Sequence, residues 1–147
     1  MTAQRSRKEE LEYRNYHKKI KESGKFDACV FCSIKNDSEQ IIEQTKYFRV
    51  ITNIFPYSIW DNERVSDHLM IIPKTHTAKL GVLPTPAASE FLKLIDVYED
   101  KGYNLYARSP GSTIKSIPHQ HSHLIKPGGH RRKLVFYAKK PYFRVSF

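Results

Sequence analysis

The sequence predicts an α+β domain: a mainly antiparallel sheet of about five strands, one main helix, and an N-terminal helical extension. Three observations lead there. Short runs of β-branched and aromatic residues alternate with turn-length connections, one stretch carries a fully delimited helix pattern, and no internal repeat or low-complexity tract interrupts them. With 147 residues the chain suits one domain with a real core and is short for two. Residues 1–27 read as a basic helical extension and 28–147 as the domain itself.

From residue 5 to about 22, RSRKEELEYRNYHKKIKE is dominated by strong helix formers and free of proline. Its apolar stripe is thin, consisting of Leu11, Tyr13, Tyr16 and Ile20, so it lies on the domain or frays as a basic arm, and Gly24 ends it. A compact knuckle, ACVFCSIKND, follows. EQIIEQTKYFRVITNIFP then suggests two short strands with a turn near Thr45, and DHLMIIPKTH a buried strand stopped at Pro73. TPAASEFLKLIDVYEDKGY is the clearest helix: Thr85 as a cap, Pro86 in the first position, Phe91, Leu94, Ile95 and Tyr98 at helical spacing, and Gly102 as the stop. YNLYARS reads as a strand, PGSTIK as a loop and HQHSHLIK as the next strand. PGGHRRK is a turn with solvated charges, leading into a terminal hairpin around Pro141.

Lysine and arginine exceed the acids by ten, which suits polyanionic partners such as nucleotides, nucleic acid or acidic lipid, and suits a solvated basic surface equally well. The absence of a long apolar run argues against a membrane span and, with the polar N-terminus, against an export signal; the expected location is the cytoplasm. The two cysteines, Cys29 and Cys32 in CVFC, then point to metal or redox chemistry more than to a structural disulfide. They supply half of a tetrahedral zinc site; a redox dithiol and two unrelated thiols are the competing readings.

The stretch SIPHQHSHLI carries His119, His121 and His123 at alternate positions. On an extended backbone alternate side chains share a face, so the three imidazoles form a row able to bind metal, attack an electrophile or shuttle protons near neutral pH. A polar strand face with chance histidines is the plain alternative. His17 and His130 read as surface residues.

HQHSHLI resembles the histidine triad motif of the nucleotide hydrolases and transferases named for it. CVFCSI and DHLMIIPKTHTAKLGVLP resemble flanking segments of that family in the same order, and the likeness covers about residues 28–126. It is weakest over 54–66, where the connection is longer than usual. SIPHQH is also similar to the hexose-1-phosphate uridylyltransferase branch, although His123 stands where that branch has glutamine. The resemblance implies a histidine-triad-like fold and an enzyme acting at the α-phosphate of a nucleotide phosphoramidate, adenylylated conjugate or dinucleoside polyphosphate. His121 is its nucleophile, with His123 helping to protonate the leaving group and Ser116 touching phosphate.

The same resemblance implies that Asn53 binds the ribose hydroxyls and that Ile54 lines the base pocket, with Phe48 as a further wall. Arg108 stands where many members have an asparagine near the phosphates; it would clamp an anionic substrate or equally point to a different leaving group. It further implies a structural zinc held by Cys29, Cys32, His76 and His119, with His68 as a competing ligand, and a homodimer formed through the helix around Phe91 to Tyr98. The rival function is a nucleic-acid-associated member that removes adenylates from nucleic acid ends, or a non-catalytic nucleotide-binding module, which the basic arm and the aromatic KLVFYAKKPYFRVSF would suit.

Overall fold

The protein is described by a computed structural model covering residues 3–22, 29–113, 115–131, 135–139 and 142–146. The elements run β1 (Ala3–Gln4), α1 (Arg7–Glu22), β2 (Ile41–Gln44), β3 (Phe48–Thr52), β4 (Ile59–Trp60) and β5 (Glu63–Pro73). After a turn of 3-10 helix come α2 (Thr85–Asp100), β6 (Asn104–Ala107), β7 (Ser122–Arg131), β8 (Val135–Lys139) and β9 (Tyr142–Ser146). The first seven strands form one sheet, so it is larger than the expected five; β8 and β9 form the terminal hairpin apart from it.

Strand β5 organises the sheet. One edge carries β4 at its start and β3 over Leu69–Pro73, and the other edge carries β7, all antiparallel. Both faces of its later half are covered, so residues 68–73 are all buried and read as a continuous apolar run rather than an alternation. On one face Leu69 and Ile71 join Phe48, Val50 and Leu124 beneath Phe91, Leu94 and Tyr98 of α2. Each such side chain contributes about 1.5–3 kcal/mol on burial. On the opposite face Met70, Ile72 and Ile51 pack under Phe31 of the knuckle. His68, in phase with Met70, and His123, paired with Met70, share that second face.

Several expectations are corrected. Phe48 is fully buried against Phe91 on the α2 face and forms no wall of a nucleotide pocket. For the stripe of Phe91, Leu94 and Tyr98, the reading as this chain's own core is the one observed, while Leu92 and Val97 of the same helix face outward. Helix α2 begins one residue earlier than read, with Pro84 at the cap and no side-chain cap bond from Thr85. Strand β7 begins at Ser122, after His119 and His121, and continues through Gly128 and Gly129 where a turn was expected. Positive φ at Gly129, and a Gly128 Cα that sits so near β5 that a Cβ would meet the Arg64 carbonyl at 3.1 Å, explain how the strand passes those positions.

The long connection over 54–66 contains β4 and a tight turn in which Asp61 and Asn62 both adopt positive φ (51° and 66°), the pattern of a hairpin turn matched to strand twist. The N-terminal extension docks on its own chain: β1 pairs with β4, and Ser6 and Glu9 form a reciprocal capping box at the start of α1. Glu9 also accepts a short bond from Ser58. No described helix is long and apolar enough to cross a membrane. Gly24, the His130 side chain and the side chains of the aromatic C-terminal stretch lie outside the residues and side chains described.

Candidate active site and metal centre

The face of the sheet opposite α2 is hollowed into a cleft of about 410 Å³ whose walls include Phe31, Asn53, Ile54, Arg108, Ser116, His121 and His123. His121 and His123 line it side by side, with ring centroids 5.1 Å apart. His119 does not line it: that ring turns back toward the cysteines. The alternation therefore divides the three imidazoles between two centres.

His121 Nδ1 lies 2.8 Å from the His119 carbonyl, which can only accept, so Nδ1 carries the proton and Nε2 the lone pair. Phe31 meets the ring edge-on at 5.2 Å. Burial, with Lys115 and Arg108 nearby, holds the ring below the ordinary histidine pKa despite the carbonyl, so it stays neutral at pH 7.

The state of His123 follows from a chain of bonds. The Tyr57 backbone N–H donates to His68 Nδ1 at 3.0 Å, and His68 Nε2 lies 2.9 Å from His123 Nδ1. Burial, reinforced by Arg5, drives the His68 pKa down to about 3, so the ring is neutral with its proton on Nε2. That proton is donated to His123 Nδ1. His123, also held well below its ordinary pKa by burial and by its cationic and histidine neighbours, is left with an N–H at Nε2. The Asn53 amide nitrogen, 3.1 and 3.5 Å from the two nitrogens of His68, lies over that ring, while its oxygen accepts the Phe55 N–H at 3.0 Å. The cleft thus presents one imidazole lone pair beside one imidazole N–H.

Behind it sit Cys29, Cys32, His76 and His119, whose donor atoms all lie within 4.8 Å of one another. Cys29 Sγ is 3.2 Å and Cys32 Sγ 3.5 Å from His119 Nδ1, and Cys32 Sγ is 3.3 Å from His76 Nδ1. A tetrahedral zinc with bonds of roughly 2.0–2.3 Å needs donors about 3.3–3.8 Å apart, so the set fits. His119 Nε2 donates to the Pro73 carbonyl at 2.9 Å, which frees Nδ1 as a ligand atom. Burial, reinforced by the neighbouring Cys29, raises the Cys32 pKa. His68, weighed above as a competing ligand, is instead committed to His123 and Tyr57.

Other residues of the cleft carried no signal in the sequence. Tyr57 is buried beside His68 and His123, and its hydroxyl accepts from Arg108 at 3.2 Å. Arg5, Tyr13, Tyr16 and His17 of the extension also line the cleft, so His17 is not the plain surface residue expected. Lys115 donates to Gln120 at 3.0 Å.

No family model matches the chain. It is 28% identical over 111 residues to an adenosine 5'-monophosphoramidase of Candida albicans, covering 67% of this chain and 69% of that protein. It is 27% identical over 113 residues to the Saccharomyces cerevisiae protein of the same name, covering 74% and 68%. Among solved structures, a HIT family hydrolase from Clostridium thermocellum superposes with a TM-score of 0.53 at 24% identity, over 74% of this chain and 97% of that one. A zinc-bound histidine triad family protein from Mycobacterium smegmatis superposes with a TM-score of 0.50 at 23% identity, over 74% and 78%. In its three alternating histidines, the antiparallel fold that carries them and these relatives, the chain is similar to proteins of the histidine triad family and shares their fold.

Proposed function

We propose that the protein is a nucleotidyl hydrolase that cleaves a nucleoside 5'-phosphoramidate, or a related adenylylated compound, at the α-phosphorus through a nucleotidyl-His121 intermediate. The observation that carries this reading is the lone pair on His121 Nε2, presented to the cleft by the 2.8 Å bond from Nδ1 to the His119 carbonyl. A neutral imidazole attacks without first losing a proton, and two displacements replace one difficult step. The likeness to the two phosphoramidases supports the substrate class.

In the first step His121 Nε2 forms a bond to phosphorus and the P–N bond breaks. The amine leaves with a proton taken from solvent at the exposed Ser116 rim, and the imidazolium charge is shared with the His119 carbonyl. In the second, water attacks phosphorus, the P–Nε2 bond breaks, and the nucleoside monophosphate departs as the borrowed proton returns to solvent. His123 contributes a hydrogen bond to a phosphate oxygen rather than a proton, since giving one up would leave a buried imidazolate. Asn53 and Ile54 hold the nucleoside, and Arg108 faces the phosphates.

Cys29, Cys32, His76 and His119 hold a structural zinc. These four donors would complete the ion's coordination without a water, so it would tie the knuckle to the segment carrying His119 and supply no chemistry.

The test is incubation with adenosine 5'-phosphoramidate followed by a non-acidic quench and mass analysis. An acid-labile adenylyl adduct on His121, and loss of turnover by at least about a thousandfold in His121→Ala, is expected. No turnover across a panel of nucleotide amides and anhydrides would overturn the reading.

A further inference from the structure

The N-terminal extension, which the family resemblance leaves out, places a cation inside the cleft. Arg5 lies on the two residues between β1 and α1, so the pairing of Ala3 and Gln4 with Trp60 and Ile59 on one side and the Ser6–Glu9 cap on the other fix its backbone. Its side chain is only 16% exposed. Nε–H donates to the Phe55 carbonyl at 3.1 Å, and the guanidinium sits 4.3 Å from the Tyr13 ring centroid and 5.1 Å from that of Tyr57. The head group is thus oriented before any ligand arrives.

Its remaining N–H groups make no hydrogen bond among the described residues. Arg5 Nη1 forms an ion pair with Glu10 Oε2 at 3.8 Å, beyond hydrogen-bond reach, and Glu10 shares its other oxygen with Arg14 at 3.0 Å. A part-buried guanidinium whose carboxylate partner is shared and makes no hydrogen bond to it keeps donors for a second anion.

The neighbours fix which anion. Tyr57 offers its ring to Arg5 and its hydroxyl to Arg108, so the two guanidiniums flank one side chain beside His123. Lys115 adds a third cation to the walls, and Glu10 is the one carboxylate among the described lining residues. A phosphoramidate, singly charged at its one phosphorus, leaves most of this positive charge unmatched. A chain of two or more phosphates matches it. The guanidinium of Arg5 and the ring of His123 both approach Tyr57, at 5.1 and 5.8 Å from its centroid, which sets Arg5 at the His123 end of the reacting pair.

Resting on the reading that His121 attacks an α-phosphorus, we propose that Arg5 is a substrate-binding residue for a phosphate beyond the one attacked. The site is thereby tuned to nucleotides whose leaving group is itself an anionic phosphate or phosphate ester. The shared chemistry is a phosphoanhydride, whether it ends in a terminal phosphate or bridges to a second nucleoside.

The experiment measures the affinity of AMP, ATP and diadenosine triphosphate for His121→Ala protein by calorimetry at fixed salt, with and without Arg5→Gln. Arg5→Gln should weaken ATP or diadenosine triphosphate by about ten- to a hundredfold and AMP by less than about threefold. Whichever of the two anhydrides loses more identifies the source, and either result supports the site. Equal losses for AMP and the anhydrides, or no loss, would overturn it. If Arg5→Gln does not fold, the Arg5-containing protein still decides: ATP binding no tighter than AMP sinks the proposal. These binding ratios are independent of turnover, so failure of the hydrolase reading would appear separately, as wild-type protein inert on every nucleotide.

Discussion

His68 Nε2 stands 2.9 Å from His123 Nδ1, and because His68 Nδ1 already accepts the Tyr57 N–H, one arrangement of protons satisfies both rings. Replacing His68 by Phe keeps the bulk and removes the donor, leaving His123 free to take the other tautomer. We expect kcat on adenosine 5'-phosphoramidate to fall about ten- to a hundredfold with KM changed less than threefold. A KM effect larger than the kcat effect would show that His68 shapes binding instead.

Removal of the metal donors should be felt in stability before chemistry. Purified protein should contain about one zinc per chain, lost in Cys29→Ser and Cys32→Ser, with Tm lowered by roughly 10 °C. Elemental analysis and thermal melts check this, and a metal-free wild type with an unchanged melt would contradict the zinc assignment.

The buried histidines dictate the acid side of the stability curve. His68 is 2% exposed, and its pKa drops from the ordinary 6.5 to about 3 in the folded state. The unfolded chain therefore binds the extra proton first. Stability is at its full value above about pH 6.5 and declines as pH falls toward 3, by up to about 1.4 kcal/mol per pH unit for His68 alone, with His123 acting in the same direction. Urea midpoints between pH 7 and pH 4 measure it. In metal-loaded protein with His68→Phe the decline should be visibly shallower.

Ser122, paired with Ile71 on the α2 face, has a buried hydroxyl with no hydrogen-bond partner among the described residues. Ser122→Ala should be neutral or stabilising by up to about 1 kcal/mol, whereas Leu124→Ala on the same face should cost about 2–5 kcal/mol. Denaturant unfolding of the two variants side by side is the check, and a clearly destabilised Ser122→Ala would reveal a partner for the hydroxyl.

What could be read in advance was whatever depends on short spacing. C-x-x-C, the alternating histidines and the helix stripe of Phe91, Leu94 and Tyr98 are local patterns whose few physical readings can be written down from spacing alone. Contacts between distant segments left no such trace. Nothing near Arg5 announces Phe55, fifty residues on, and nothing near Tyr57 announces Arg108, fifty-one residues on. Phe48 misled because an aromatic on a strand looks alike on either face; its phase relative to Leu69 and Ile71 is set by register, which single-strand patterns do not carry. The capping box of α1 was present as Ser6 and Glu9 but belongs to a segment whose thin apolar stripe left docking and fraying both open.

One residue belongs to two workshops. The ring of His119 leans on Cys29 while its carbonyl steers the imidazole of residue 121, so a disturbance among the sulfurs reaches the His121 ring through a single backbone unit. Alkylating or oxidising reagents directed at exposed Cys32 should accordingly register as inhibitors without ever entering the nucleotide's place, and compound screens on this protein will need a thiol-scavenger control to tell the two apart.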